Sequence, residues 1–289
     1  MMMQSFDETT CSLGEGPLWH PKRSALFWFD ILNKTLYCRS PEDTHAKVWI
    51  FEEMVSAAAW IDHDHLLIAS ETGLFTFNLN SRQCVPLQDL EADNPNTRSN
   101  DGRADPFGGF WIGTMGKKAE SGAGSIYRYY RGELRQVAKD ITISNAICFS
   151  PDKSTAYYCD TAVGHLWQHR LDPYTGWPIG TAEILIDFSS EGLNPDGAVC
   201  DAAGNLWIAQ WGASRVACYS PQGLFIEAIA VPTQQVSCPA FGGEKLSTLF
   251  ATSAAVGLDN AVRSSEPAGH TFFSELAVTG QQEYPFIPA

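Results

Sequence analysis

The chain has 289 residues, of which 44% are hydrophobic, 12% aromatic and 18% charged. This composition excludes a disordered chain, which would be poor in aromatics and rich in charge, and a coiled coil, which would need far more Glu, Lys, Ala and Leu. The net charge of −14 would repel a nucleic-acid backbone, and no apolar run approaches the length of a membrane span, so we expect neither nucleic acid nor membrane as a partner.

The N-terminal segment and the cysteines predict the cellular compartment. The segment from Met1 to Cys11 has neither a basic region nor an apolar stretch and is not predicted to be a signal peptide. The eight cysteines are scattered singly, without a CxxC pair, and several fall in apolar runs such as residues 146–149. A chain of this size has enough core without disulfides, so we predict reduced, mostly buried thiols in a cytoplasmic protein.

An internal repeat organises the chain. Each copy begins with a polar residue and continues through three short apolar runs separated by turns, and the copies start 41 to 51 residues apart. The runs are rich in Val, Ile, Phe, Tyr and Trp and are bounded by turn residues, which is the signature of strands. In chain order the six copies start at Glu15, Ser56, Asn100, Asn145, Asp196 and Ser237.

A fourth, outer run completes the repeat, for example at residues 48–51 and 184–188. Units of four antiparallel strands with this period are propeller blades. The sequence therefore predicts an all-β fold, a six-bladed β-propeller around a central channel, as a single domain over residues 1–289. The sixth copy has a weak fourth run, and either the N-terminal segment Gln4 to Thr10 or the C-terminal segment Tyr284 to Ile287 could close the ring.

The six starting residues predict a cation site. In a propeller the first strand of each blade lines the channel, so these residues become neighbours at one mouth. Glu15 and Asp196 are carboxylates, and Asn100 and Asn145 are carboxamides. Crowded carboxylates repel each other unless a cation lies between them. Oxygen ligands favour Ca²⁺, Mg²⁺ or Mn²⁺, and carboxylates also accept Zn²⁺, so we predict one divalent metal ion of open identity.

Several motifs resemble those of a known family, the SMP-30/gluconolactonase/regucalcin-like family. They are LGEGPLW at residues 13–19, RSNDGRADP at 98–106, FWIGTM at 110–115, GSIYR at 124–128, SNAICFSPD at 144–152 and NPDG at 194–197. The resemblance spans about residues 12 to 275. It implies a six-bladed propeller, in agreement with the repeat count, and it implies an enzyme that hydrolyses sugar lactones to the open acids.

The resemblance also implies roles for individual residues. Glu15, Asn145 and Asp196 would hold the metal, and these are three of the residues that the repeat brings together. Arg98 and Asn100 would bind the substrate.

One position departs from the family pattern. Some relatives carry an acidic substrate-binding residue a few positions after the GTM motif, and here Lys118 stands near that place. We take Lys118 as a candidate substrate-binding residue, with an exposed loop lysine as the alternative. A cation there predicts that aldarolactones, which carry a second carboxylate, are accepted at least as well as aldonolactones.

Lactone hydrolysis passes through a tetrahedral oxyanion that a metal ion can stabilise as a Lewis acid. Asp196 is the predicted general base for the attacking water, although metal ligation opposes its basicity. A calcium-binding regulatory protein without turnover is the alternative function. Arg98 and Asn100 favour the enzyme, because a bare cation site has no use for a guanidinium beside it. The native sugar and the oligomeric state stay open.

Overall fold

The structure, a computed structural model, describes residues 2–288 apart from the side chains of residues 260 and 264. Within that range the chain forms six sheets, each of four antiparallel strands, that together make a six-bladed β-propeller. The predicted fold and blade count are confirmed. Each predicted starting residue lies in the innermost strand of a different blade, so the repeat in the sequence is the blade.

The strands are numbered in chain order, and each blade runs from the channel outward. Blades 1 and 2 contain β2 (Gly14–His20), β3 (Ala25–Asp30), β4 (Thr35–Arg39), β5 (Lys47–Ile50), β6 (Val55–Trp60), β7 (His65–Ser70), β8 (Gly73–Asn78) and β9 (Cys84–Asp89). Blades 3 and 4 contain β10 (Thr97–Ala104), β11 (Phe110–Gly116), β12 (Gly124–Tyr130), β13 (Glu133–Ile141), β14 (Ser144–Phe149), β15 (Thr155–Asp160), β16 (His165–Arg170) and β17 (Glu183–Asp187). Blades 5 and 6 contain β18 (Asn194–Cys200), β19 (Leu206–Trp211), β20 (Arg215–Tyr219), β21 (Phe225–Ala230), β22 (Val236–Gly242), β23 (Thr248–Ser253), β24 (Thr271–Glu275) and β1 (Gln4–Asp7).

Helix is confined to two short connecting segments in the described range, a 3-10 turn at Ser189–Glu191 and the helix α1 at Asn260–Ser265. Asp259 caps the helix by accepting a hydrogen bond from the backbone N–H of Val262 at 2.9 Å. No helix among residues 2–288 has the length and apolar character needed to cross a membrane.

The N-terminal strand closes the ring. β1 pairs with β24, which places Gln4 opposite Phe273 and Asp7 opposite Thr271. Phe6 anchors this strand, because its ring packs edge-on against Phe250 with centroids 4.9 Å apart. The N-terminal candidate is therefore the one that completes the sixth sheet, and residues 284–287 form no strand.

Neighbouring blades pack through apolar clusters that fix the inner strands in place. One cluster joins blades 1 and 2 and contains Phe27, Phe29, Val55 and Ile68. The second strands of blades 1, 3 and 5 bury the large side chains of Trp28, Trp111 and Trp207. Burying a large apolar side chain contributes about 1.5–3 kcal/mol, so this packing stabilises the ring.

The eight cysteines are all free, as the sequence predicted. Seven are buried, and Cys84, on the outer strand β9, is exposed. Burial raises the pKa of the Cys38 thiol to about 12 and that of the Cys218 thiol also to about 12, so both are unreactive thiols at neutral pH.

The end of the chain crosses the mouth of the channel at which the inner strands end. We call residues 279–287 the C-terminal strap. The backbone N–H of Gly280 donates to Leu246 O at 2.8 Å in blade 6, and the N–H of Phe286 donates to Trp60 O at 2.9 Å in blade 2. Gln281 Nε2 donates to Phe149 O at 3.0 Å in blade 4. The strap therefore spans the far mouth of the channel from one side to the other.

Candidate functional site

A cavity of about 370 Å³ opens at the mouth of the channel where the inner strands begin. That volume lies in the range of small-molecule sites. Its walls combine apolar side chains with a few converging polar groups. The lining residues are Leu13, Glu15, Arg98, Asn100, Met115, Ile143, Asn145, Thr161, Ala162, Asn194, Asp196 and Trp211. Four of the six starting residues of the repeat therefore meet in one cavity.

A break in the strand register beside each starting residue aims it at the channel. The pairing between first and second strands shifts at this level in all six blades, as it does in a β-bulge. Gly16, which follows Glu15, has a φ of +53°, and Ala146, which follows Asn145, has a φ of +57°. A Cβ on Gly16 would lie 2.3 Å from Ser56 O, so this bulge requires glycine.

A chain of hydrogen bonds links the predicted substrate residues to a predicted metal ligand. Arg98 Nη1 donates to Asn100 Oδ1 at 2.8 Å. Asn100 Nδ2 then donates to Asn145 Oδ1 at 3.0 Å and to Ser144 O at 2.8 Å. Asn145 Nδ2 donates to Thr161 Oγ1 at 2.9 Å. These bonds orient the Asn145 carboxamide, and its oxygen keeps a second lone pair for another partner.

The two predicted carboxylates are buried where charge is costly. Burial raises the pKa of Glu15 to about 8, and the charge of Asp101 adds to the shift, while the Gly16 N–H and Arg98 oppose it. Burial also raises the pKa of Asp196 well above its usual range, with further contributions from Glu15 and Asp101. Like charges in a dry site favour the protonated form, so a bound cation would stabilise both ionised carboxylates.

Asp196 carries an atom without a partner. Its Oδ1 is buried and accepts no hydrogen bond. Buried carboxylate oxygens are almost always satisfied, and an exception needs an explanation such as an ion, a water or a reacting group. Within residues 2–288, no group of three or more His, Cys, Asp or Glu side chains is arranged to hold a metal ion by itself. The donor set is therefore two carboxylates with the carboxamide of Asn145, which suits a hard cation.

Arg98 provides a positive charge on the same wall. Burial lowers its pKa to about 10, while Glu15, Asp196 and Glu71 attract the charge and oppose that change. The guanidinium therefore stays charged at neutral pH. Its Nη1 is held by Ser99 O at 2.9 Å and by Asn100, which fixes the direction of the planar group.

The other two starting residues do not line the cavity. Ser56 Oγ donates to Ser99 Oγ at 2.8 Å, and Ser237 Oγ donates to Gly14 O at 2.5 Å. Each hydroxyl therefore links one blade to the next. Neither serine lines the cavity, because its side chain is too short to reach the centre of the mouth.

Lys118 lies apart from the residues gathered above. It is exposed on the loop after β11 and is absent from the cavity wall. Its backbone N–H donates to Glu120 Oε2 at 3.0 Å, and the neighbouring Lys117 Nζ lies 3.5 Å from Glu71 Oε2. A substrate-binding role for Lys118 stays a prediction.

The residues of the cavity wall that the sequence reasoning missed include three with polar or aromatic side chains, Thr161, Asn194 and Trp211. Thr161 Oγ1 donates to Pro195 O at 2.7 Å, and Asn194 Nδ2 donates to Trp211 O at 3.3 Å. Thr161 and Trp211 stand at the ends of second strands, where those strands reach the same mouth as the starting residues. A search of the second strands at that level of the repeat would have found both.

Comparison with known proteins agrees with this architecture. The family model described as the SMP-30/Gluconolactonase/LRE-like region matches residues 13–255. The 6-deoxy-6-sulfogluconolactonase of Pseudomonas putida is 35% identical over 83% of this chain and 83% of its own length. The L-arabinolactonase of Azospirillum brasilense is 34% identical over 94% of this chain and 91% of its own length.

A solved structure is similar over nearly the whole molecule. The calcium-binding protein regucalcin from Agrobacterium tumefaciens is 41% identical, with a TM-score of 0.96 over 99% of this chain and 97% of that chain. Family match, sequence identity and fold agree, and they cover both the cavity and the blades that build it. The chain therefore belongs to the SMP-30/gluconolactonase/LRE-like family.

Proposed function

We propose that this protein is a hydrolase that opens a sugar lactone to the corresponding sugar acid, with one divalent cation held by Glu15, Asn145 and Asp196. The observation that carries the proposal is the buried, unpartnered Asp196 Oδ1 on the wall of a cavity that also presents Glu15 and Arg98. Relatives that are named lactonases support the choice of lactones as the substrate class.

The cavity residues fit a cation for a physical reason. Two buried carboxylates with raised pKa values are destabilising when both are ionised and unpaired. The Asn145 oxygen, oriented by Asn100, adds a neutral ligand at the same mouth. Oxygen ligands of this kind suit Ca²⁺, Mg²⁺ or Mn²⁺, and Zn²⁺ also accepts carboxylates. When bound, a divalent cation would stabilise the negative charge that develops on the lactone carbonyl oxygen.

Asp196 is the proposed general base. Asp196 lies on the cavity wall, where a water that attacks the lactone carbonyl can transfer a proton to its carboxylate. The same proton then passes to the ring oxygen as the carbon–oxygen bond of the lactone breaks, so the product is the open hydroxy acid. Burial raises the pKa of Asp196, and cation binding would oppose that shift.

Arg98 and Asn100 are the proposed substrate-binding residues. The guanidinium is buried and oriented by two hydrogen bonds, so it can bind hydroxyl or carboxylate oxygens without a large loss of side-chain entropy. Trp211 offers an aromatic surface on the same cavity wall. Substrate binding at these residues would place the lactone carbonyl beside Asp196.

A calcium-binding protein without turnover would use the same three ligands. The cavity argues for the enzyme, since a site that only holds an ion needs neither a space of about 370 Å³ nor a buried guanidinium beside the ligands. The eight free cysteines support a reducing compartment, and we infer a cytoplasmic protein.

The test is acid release from a panel of aldonolactones and aldarolactones, followed with a pH indicator. Each lactone is assayed with protein as purified, with chelator, and after return of Ca²⁺, Mg²⁺, Mn²⁺ or Zn²⁺. We expect turnover that chelator abolishes and one of these ions restores. Turnover that chelator leaves unchanged would contradict the cation. Tight ion binding without turnover on any lactone would favour the binding protein.

A further inference from the structure

Arg103 stands inside the channel, between the cavity and the C-terminal strap. It lies on β10, three residues after Asn100, and its side chain is buried. Its Nε donates to Ile147 O at 3.0 Å on β14, and its Nη2 donates to Ala198 O at 3.3 Å on β18. One side chain therefore connects the inner strands of blades 3, 4 and 5.

These three strands are the ones that carry Asn100, Asn145 and Asp196. The carbonyls that Arg103 binds lie two residues beyond Asn145 and two residues beyond Asp196 along their strands. Asp101 adds a further contact, since its Oδ2 accepts from the Ile147 N–H at 2.7 Å. Strand β10 thus binds both the carbonyl and the N–H of Ile147, which lies two residues after the proposed metal ligand Asn145.

The far end of Arg103 is anchored by the strap. Arg103 Nη1 forms an ion pair with Glu283 Oε1, and both side chains are buried. Glu283 is itself held in place, because its carbonyl accepts from Trp60 Nε1 at 2.8 Å in blade 2. The strap therefore holds the Arg103 guanidinium through Glu283, and the guanidinium in turn binds the strands β14 and β18.

Such a connection matters because the blades are separate sheets. No ladder of backbone hydrogen bonds joins β10, β14 and β18, which belong to three different sheets. Their spacing depends on side-chain packing and on contacts such as those of Arg103. A cation site tolerates ligand displacements of only about 0.2 Å, and mutation of residues that hydrogen-bond to metal ligands typically weakens metal affinity by about 10- to 100-fold.

We propose that Arg103, anchored by Glu283, is a positioning residue that sets the spacing of β10, β14 and β18 and thereby the geometry of the cation site. The inference rests on the proposed function, because it assumes that Asn145 and Asp196 hold a cation. Arginine suits the task because its donors are spread over a rigid planar fork that reaches acceptors in different directions, whereas the three donors of lysine sit on one nitrogen atom.

The test is Arg103→Lys, which keeps the positive charge in the channel and removes the fork. Ion binding is measured by calorimetric titration of metal-free protein with Ca²⁺, Mn²⁺ and Zn²⁺ separately, and thermal unfolding is measured alongside. The matched control is Arg128→Lys in the same blade. Arg128 Nε also pairs with a buried carboxylate, Asp105 Oδ2 at 2.6 Å, but it lies on the third strand of the blade and not on the strand that lines the channel.

We expect Arg103→Lys to raise the dissociation constant of the ion by about tenfold or more. Both variants are expected to lower the melting temperature, but Arg128→Lys is expected to change the dissociation constant of the ion by less than about twofold. Equal dissociation constants for Arg103→Lys and wild type would overturn the inference alone. A wild type that binds none of the three ions would overturn the proposed metal site, and the inference with it.

A second variant keeps the inference testable if Arg103→Lys does not fold. Glu283→Asp retains the charge of the anchor and shortens it by one methylene group. We expect it to weaken ion binding about threefold or more relative to Arg128→Lys, and an unchanged dissociation constant would overturn the role of the anchor.

Discussion

The two mouths of the channel show how one repeat produces two different ends. At the mouth where the inner strands begin, Glu15 and Asp196 are buried, and Asp196 Oδ1 has no partner. At the mouth where they end, Arg103 is also buried, but Glu283 pairs with it and the C-terminal strap covers it. At the first mouth the Asp196 carboxylate keeps an oxygen without a hydrogen-bond partner, whereas at the second mouth Arg103 and Glu283 pair with each other.

This difference indicates which mouth is suited to bind a ligand and which is a structural element. A buried ion pair is satisfied by the protein itself, and it needs no ligand to be stable. Buried carboxylates that form no salt bridge destabilise the metal-free protein when they are ionised, and a bound cation would offset that cost. The first mouth, which we call the open mouth, is therefore the end at which we propose that a cation binds, and the second, closed mouth is the end that we propose positions its ligands.

The largest expected effect comes from breaking the open mouth. Asp196→Ala removes a proposed ligand and the proposed base together, so we expect loss of the bound ion and a fall of about 10³-fold or more in kcat/KM. Elemental analysis and lactone turnover of the purified variant measure the two losses.

The control for that variant is Ser56→Ala. Ser56 occupies the equivalent repeat position, but its hydroxyl donates to Ser99 and it does not line the cavity. Its ion content should match that of wild type. If Asp196→Ala retained full ion occupancy and turnover, the assignment of the open mouth would be wrong.

In chelator at pH 9, the comparison predicts that two substitutions affect the melting temperature differently. Glu283→Gln leaves Arg103 buried without its anion, so we expect a loss of about 3 kcal/mol, or about 5–10 °C in melting temperature. Glu15→Gln removes a buried charge that faces Asp101 and Asp196, and we expect the melting temperature to stay level or rise. Thermal unfolding of both variants beside wild type is the measurement, and equal losses would refute the distinction between the mouths.

Stabilisation by the cation should depend on pH. The pKa of Glu15 is raised from 4.5 in the unfolded chain to about 8 in the fold, so its contribution to stability is complete below about pH 4.5 and is lost as the pH rises toward 8. The metal-free protein is therefore expected to lose stability between pH 5.5 and pH 8.

A bound cation should reverse that loss, because it stabilises the ionised form. At an ion concentration of about 100 times Kd the gain is about 2.7 kcal/mol, or roughly 5 °C, at pH 8. At pH 5.5 the ion must displace protons, so we expect less than half of that shift. Melting curves with ion and with chelator at both pH values measure it, and a shift that is independent of pH would show that Glu15 is not a ligand.

The smallest expected effect belongs to Lys118. It is exposed and outside the cavity wall, and an exposed ionic contact contributes about 0.2–1 kcal/mol. For Lys118→Ala we expect kcat/KM on a glucaric lactone to fall less than about fivefold relative to a gluconic lactone. An unchanged ratio for the two lactones would mean that Lys118 is a solvated loop residue.

Local pattern was sufficient for the fold and for part of the site. Short β-rich runs with a regular period specify blades, because each run needs only its neighbours in the chain to form a sheet. The same period places Glu15, Asn100, Asn145 and Asp196 at one level, and all four line one cavity. Equivalent positions in a closed ring are neighbours by symmetry, so these residues could be grouped before any coordinates were known.

Contacts outside the period were decided only by the tertiary structure. The closing strand is β1 rather than residues 284–287, and nothing in either segment distinguishes them by pattern. Ser56 and Ser237 occupy the right level yet bond to neighbouring blades, because side-chain length decides what reaches the centre. Arg103 and Glu283 are 180 residues apart, and they meet only because the closed ring brings the C-terminal strap across the far mouth.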